Sequence, residues 1–142
     1  MKPPYKSRGL TVILLTVSLA WAGSVARADD DGYELVQAPA PELHAGKKAV
    51  FSLTLVPRAG HHLLADGPVL VRVSGDALRP ARTLLRREDA VDPRAEVPRF
   101  ELAVTADKKG PARLVAHCTF YLCKDTRCRP VETDLTWTAT VN

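Results

Sequence analysis

Several features that are common in proteins are missing from this sequence, and each absence excludes a class of protein. Beyond residue 22 there is no apolar run long enough to cross a membrane, so we predict no membrane insertion for that part of the chain. No excess charge of one sign remains after residue 28 either. The first 28 positions hold four of the 20 Lys and Arg residues and no Asp or Glu, which leaves 16 basic and 16 acidic residues. Such a balance argues against binding to nucleic acid.

The sequence also lacks the familiar arrangements of catalytic residues. It contains no Ser-His-Asp constellation, no glycine-rich phosphate loop and no pair of carboxylates with a defined geometry. Glu88-Asp89 is more typical of a solvated charge pair in a loop. The spacing of His61, His62 and His117 relative to the cysteines matches no standard zinc pattern, so we predict neither a metal nor another cofactor.

The first 28 residues have the three parts of a secretory signal peptide. A basic start is followed by an apolar run from Leu10 to Ala22 and then by Ala26-Arg27-Ala28, a small-x-small cleavage pattern. We therefore predict cleavage after Ala28 and an exported protein, either periplasmic or secreted. Removing 28 of the 142 residues leaves 114, from 29 to 142, which suits one domain with a modest core.

The remaining sequence is typical of short β-strands. Val50 to Val56 alternates apolar and polar side chains, as a half-buried strand does. Further candidate strands are Tyr33 to Gln37, His61 to Leu64, Val69 to Val73, Phe100 to Val104, Ala112 to Cys123 and Val131 to Val141. The charged segment from Arg79 to Arg99 contains prolines, and its part from Leu84 to Ala90 fits either a short helical turn or an edge strand. No long stretch has a helical period, so we predict an all-β antiparallel sandwich of about seven or eight strands.

Two cysteines close in sequence, Cys123 and Cys128, lie between the last two alternating runs. If they face each other in a hairpin, opposite residues have numbers that sum to 251. Nearly all the apolar residues of both strands then fall on one face, in the pairs Phe120 with Val131, Cys118 with Thr133, Ala116 with Leu135 and Leu114 with Trp137. A slip of one residue would send one apolar set to the wrong face. The hydrophobic pattern therefore supports the register that pairs the cysteines.

The same register separates the three thiols. Cys118 falls on the apolar face, so we expect a free, buried core thiol that resists alkylation. Cys123 and Cys128 fall at the polar face and the hairpin end, where we expect a partner to reach them. An oxidising compartment permits the disulfide Cys123–Cys128 and leaves Cys118 over. Three basic side chains, Lys124, Arg127 and Arg129, flank the pair, and positive charge favours a thiolate.

Three motifs occur in an order that resembles a known family. They are Gly60-His61-His62-Leu63-Leu64, a strand before Phe100 that ends at a glycine, and the run from Cys123 to Pro130. They look like the N-terminal periplasmic domain of the DsbD thiol:disulfide interchange proteins, over roughly residues 51–141. That family has an immunoglobulin-like fold, with two redox-active cysteines on neighbouring strands shielded by a cap loop. The region that corresponds to the cap, about Leu84 to Phe100, has no aromatic residue before Phe100.

The resemblance implies a thiol-disulfide oxidoreductase. Cys128 would form the mixed disulfide with a client and Cys123 would resolve it, with His61, His62 and Tyr121 near the pair beside Lys124 and Arg127. The implied partners are a periplasmic thioredoxin-like oxidoreductase or a membrane electron carrier. The residues leave a second interpretation open: a non-catalytic binding or structural sandwich in which the Cys123–Cys128 disulfide is only a staple, which contributes about 2 kcal/mol for so short a loop.

Overall fold

The computed structural model describes residues 31–142, which form nine β-strands and one short 3-10 turn. The strands are β1 (Tyr33–Gln37), β2 (Lys48–Pro57), β3 (His61–Leu63), β4 (Val69–Asp76), β5 (Leu78–Pro80), β6 (Leu84–Arg86), β7 (Arg99–Ala106), β8 (Gly110–Lys124) and β9 (Arg127–Val141). The 3-10 turn spans Arg87–Asp89. No helix in residues 31–142 could span a membrane. The predicted signal peptide, residues 1–28, lies outside the described residues.

The strands pair antiparallel in two sheets, which confirms the predicted β-sandwich. One sheet has the order β1-β2-β7-β5. In the other, β8 is central: β4 and β3 pair in turn with one of its edges, β9 pairs with the other, and β6 lies beyond β4. The structure has nine strands rather than seven or eight because Leu78–Pro80 forms an additional strand of three residues, too short for alternation to reveal.

The core lies between the sheets and consists of the side chains that the alternation placed on their inner faces. Phe51, Phe100 and Phe120 are among the largest fully buried side chains. Tyr33 and Phe120 meet edge to face with ring centroids 5.1 Å apart, a favourable geometry for aromatic pairs. This packing fixes the inner face of β8, and it therefore also determines which β8 side chains point outward.

The segment from Arg79 to Arg99 leaves the first sheet at β5, adds β6 to the second sheet and returns to the first sheet at β7. Both structures considered for Leu84 to Ala90 occur: an edge strand, β6, and then the 3-10 turn. The Asp89 carboxylate accepts hydrogen bonds from the Arg86 backbone N–H at 2.8 Å and from the Arg82 guanidinium at 2.6 Å. These two bonds hold the pKa of Asp89 below its ordinary value. The turn is thus fixed by charge-assisted hydrogen bonds rather than by buried apolar side chains.

Candidate functional site

The two long strands β8 and β9 form a hairpin that carries the cysteine pair at its closed end. Every residue pair of the predicted register is present, from Leu114 with Trp137 to Cys123 with Cys128. The connecting loop is the two residues Asp125 and Thr126, and Asp125 has a positive φ of 54°. Two-residue hairpin loops need positive φ at their first position, and Asp tolerates it better than most residues do. The turn chemistry and the apolar alternation therefore specify the same register.

Cys123 and Cys128 form a disulfide directly across the two strands. The Leu64 backbone N–H donates to the Tyr121 carbonyl at 3.1 Å. Hydrogen-bonded positions alternate along an antiparallel ladder, so the backbone groups of Cys123, like those of Tyr121, point toward β3 and not toward β9. The cysteines therefore form a non-hydrogen-bonded pair, the type in which opposite residues approach most closely. Their Cα atoms are 3.9 Å apart.

The two cysteines differ in exposure. Cys123 has 0% of its surface exposed, whereas Cys128 is exposed. Cys123 lies in β8, which has a neighbouring strand on each side, and Cys128 lies in the edge strand β9. The expectation that a partner could reach both cysteines is therefore wrong for Cys123. Only Cys128 presents a surface that an external thiol or disulfide could approach.

The near-site residues divide between two faces of the sheet. His62 pairs with Cys123 on the other edge of β8, so His62, Cys123 and Cys128 form one row across three strands. Tyr121 is two residues along β8 from Cys123, so it lies on the same face, and it is 37% exposed. Alternation places the neighbouring row on the opposite face.

That opposite row consists of His61, Lys124 and Arg127. The His61 ring lies against the backbone of Gly32, where a Cβ would be only 2.5 Å from the ring. Gly32 also has a positive φ of 80°, so both the space and the backbone require glycine there. His61 therefore packs against this segment, and of the two adjacent histidines only His62 shares the face of the cysteine pair.

Three basic side chains, those of Lys124, Arg127 and Arg129, neighbour the cysteines in sequence, but alternation places all three on the face of the sheet opposite the disulfide. Lys124 and Arg127 are exposed and directly opposite each other, an arrangement of like charges that costs stability in a sheet. The Arg129 guanidinium donates to the Asp31 carbonyl. The expectation that these three side chains flank the cysteine pair therefore holds along the sequence but not on the face that carries the disulfide.

The third thiol is a core group, as predicted. Cys118 is 2% exposed and not disulfide-bonded. Burial raises the pKa of this thiol from 9.0 to about 12, and the nearby Asp134 carboxylate adds to the rise. Asp134 itself is opposite His117, as expected, with Nδ1 and Oδ1 2.5 Å apart. Because the thiolate is the reactive form, we expect Cys118 to be unreactive at neutral pH.

The raised pKa of Cys118 makes the protein less stable in alkali. Above the ordinary pKa of 9.0 the unfolded chain loses this proton while the folded chain keeps it up to about 12, so the free energy of unfolding falls as pH rises. We expect this decline to be less steep in Cys118→Ala, by up to about 1.4 kcal/mol per pH unit. Urea unfolding of both proteins from about pH 8 to about pH 10.5 measures the slopes. Equal slopes would contradict a buried, protonated thiol.

Sequence reasoning missed a groove beside the site. It has a volume of about 610 Å³ and lies between β3 and residues 93–97. Arg87 lines it, and the Nη1 of Arg87 donates to the carbonyls of Leu64, at 3.1 Å, and Ala65. Arg87, in the charged segment between β5 and β7, thus contacts the residues that follow β3. A charged loop has no periodicity from which its contact with a distant strand could be predicted. The groove was therefore not predictable from the sequence.

No metal centre is formed by the side chains that the structure describes. No three His, Cys, Asp or Glu residues among them are placed to hold a metal ion. Neither a search against models of known protein families nor a comparison with curated proteins finds a match for this chain.

Proposed function

We propose that this protein is an exported thiol-disulfide exchange domain, similar to the N-terminal domain of DsbD, that relays electrons through Cys123 and Cys128. The observation that carries the proposal is the pairing of one buried and one exposed cysteine in a single disulfide at a hairpin end. A pair of this kind has one sulfur that a partner can reach and one that reacts only within the protein. Thiol-disulfide exchange requires both functions.

In the reducing direction, the reaction begins with the dithiol form. The Cys128 thiolate attacks a client disulfide: a mixed disulfide forms, the client S–S bond breaks, and the released client thiolate takes up a proton. Cys123 then loses its proton and its thiolate attacks the Cys128 sulfur. The Cys123–Cys128 bond forms, the mixed disulfide breaks, and the second client thiolate is protonated. Two electrons and two protons have moved from the protein to the client.

The cross-strand geometry favours the second step. Cys123 lies directly opposite Cys128 on the same face, so the resolving thiol is already beside the mixed disulfide and no backbone movement is needed to bring it there. The buried position of Cys123 shields it from other thiols, so it reacts with Cys128 before any external group. The partner contacts in turn fall on exposed Cys128 and on the exposed Tyr121 of the same face.

The proposal requires two partners of defined chemistry. A thioredoxin-like oxidoreductase outside the cytoplasm receives the electrons, and a dithiol protein, for example a membrane electron carrier, restores the reduced form by the reverse exchange. The signal-peptide pattern at residues 1–28 supports the compartment that this chemistry needs.

The reduction potential of the pair distinguishes exchange from a structural staple. We expect a value in the range of exchange proteins, between about −270 and −120 mV, because a disulfide with an exposed sulfur, here that of Cys128, is reduced more easily than an enclosed structural one. The measurement is the fraction of alkylated Cys123 and Cys128 after equilibration in defined thiol-disulfide buffers. The Cys118→Ala variant serves as the reference, since it removes the only other thiol.

A value below about −300 mV, typical of structural disulfides, would overturn the proposal. The protein would then be the second candidate, a binding or structural sandwich with a stapled hairpin. The Cys123→Ser/Cys128→Ser variant in the same background should show no transition at all, which excludes a contribution from other groups.

A further inference from the structure

Strand β9 has an unpaired outer edge that begins at Cys128. Every second residue of β9 turns its backbone groups away from β8, as Thr136 shows, whose carbonyl accepts a hydrogen bond from the Gln37 side chain at 3.0 Å. The same alternation assigns further outward groups to Cys128, Pro130, Glu132 and Asp134. Within residues 31–142 none of these four residues has a hydrogen-bond partner for its outward backbone groups. We call this part of the strand, from Cys128 to Asp134, the β9 edge.

The β9 edge is open to solvent along its length. All four outward residues are exposed, and so is Arg129 between the first two of them. Pro130 has no N–H, which removes one donor but leaves its carbonyl free, and proline is tolerated where the missing N–H would face away from the sheet. An exposed strand edge of this length is a template to which an extended segment of another chain can add.

The place of Cys128 at this edge determines where a second sulfur can reach it. The Cys123 sulfur is bonded from the paired side of β9. Exchange at sulfur is an in-line displacement, so a client sulfur must lie on the other side of the Cys128 sulfur, which is the β9 edge. A residue paired antiparallel with Cys128 there has its Cα about 5.5 Å away, within the range of about 4.4–6.8 Å that a disulfide spans.

The side chains next to Cys128 indicate which segment fits. Arg127 and Arg129 are both exposed and lie on the face opposite the disulfide. In an added antiparallel strand they face the two residues that flank the client cysteine. The Arg129 guanidinium is held at this edge by its hydrogen bond to the Asp31 carbonyl. Opposite charges across a strand pair are stabilising, so acidic residues fit both positions.

We propose that the β9 edge binds an extended segment of an exported client protein, paired antiparallel with the client cysteine opposite Cys128 and with an acidic residue on each side of that cysteine. This inference rests on the proposed exchange function, and it adds to the oxidoreductase partners a client whose cysteine lies in an extended segment. In the resolving step the Cys123 thiolate bonds to the Cys128 sulfur, the bond from Cys128 to the client breaks, and the client thiolate takes up a proton.

The test uses the Cys118→Ala/Cys123→Ser protein with glutathione attached to Cys128, and a blocked valine-threonine peptide with glutamates on both sides of one cysteine. The peptide thiol bonds to Cys128, glutathione leaves as the thiol, and mass spectrometry measures the equilibrium constant. N-methylation of the fourth residue before the cysteine, which faces Glu132, should lower this constant at least about fivefold, because a backbone hydrogen bond is lost. The matched control is N-methylation of the third residue, whose N–H points away from β9, and it should change the constant less than about twofold.

Amide hydrogen exchange measured by NMR locates the bound segment. In the peptide adduct the N–H groups of Cys128 and Glu132 should exchange at least about fivefold more slowly than in the glutathione adduct, since both gain an acceptor. Equal exchange in the two adducts, or equal effects of the two N-methylations, would overturn the proposal. Slow exchange that depends on protein concentration and needs no peptide would overturn it in favour of a second copy of the chain.

Variants of the protein test the edge and the charge preference. Glu132→Pro removes an outward N–H that Glu132→Ala keeps, so it should lower the equilibrium constant at least about threefold relative to Glu132→Ala. Replacing both peptide glutamates with glutamine should lower it about twofold or more, but not in Arg127→Gln/Arg129→Gln. Equal effects in both backgrounds would overturn the charge preference. These measurements involve a single thiol, so the reduction potential of the Cys123–Cys128 pair tests the proposed function separately.

Discussion

Replacing Phe120 with alanine is expected to lower the free energy of unfolding by about 3–5 kcal/mol, the usual cost of removing a buried phenylalanine. Phe120 has 0% of its surface exposed and is opposite Val131 in the hairpin. The substitution also removes the edge-to-face contact between Phe120 and Tyr33, whose ring centroids are 5.1 Å apart. Urea unfolding at neutral pH, with the disulfide intact, measures the effect. If the variant does not fold, Phe120→Leu gives the same test in a milder form.

Tyr121→Ala is the matched control, because Tyr121 is the next residue of β8 and points to the opposite, outer face. Because the Tyr121 side chain is partly exposed and has no core contact, its removal should lower the free energy of unfolding by less than about 1 kcal/mol. Similar losses for the two variants would show that the assignment of faces along β8 is wrong. The position of the cysteine pair depends on that assignment, so this comparison also tests on which face of the sheet the candidate site lies.

The hairpin was predictable from sequence because its information is local and redundant. Alternation on both strands, a turn that tolerates positive φ at Asp125, and the pairing of Cys123 with Cys128 all give one register. A one-residue slip changes the face of every side chain, so the apolar pattern selects among registers strongly. The burial of Cys118 follows from the same argument, and the structure confirms it.

The burial of Cys123 was not predictable in this way. It depends on β3, a strand that is distant in sequence and only three residues long. Alternation assigns a side chain to a face, but it does not tell whether its strand is central or at an edge. The same limit applies to Arg87, which contacts the carbonyls of Leu64 and Ala65 from a segment without periodicity. These features arise from how distant elements meet.

The difference in burial leads to the second large expected effect, which concerns the direction of attack on the disulfide. With one cysteine replaced by serine, the other is left as a single thiol in a nearly unchanged sheet. Serine has almost the shape of cysteine. The strands on both sides of Cys123, β3 and β9, should therefore remain in place in Cys128→Ser. The Cys128 thiol of Cys123→Ser, by contrast, keeps the exposure of its position in an edge strand.

The central claim is that Cys128 is the sulfur that partners reach and Cys123 is the one that resolves. The most direct measurement is the rate at which glutathione disulfide modifies Cys123→Ser and Cys128→Ser, both with Cys118→Ala, followed by intact-protein mass spectrometry. We expect Cys128 to react at least about tenfold faster than Cys123, because its exposure favours the thiolate and lets the reagent approach. Equal rates, or faster reaction at Cys123, would contradict the account.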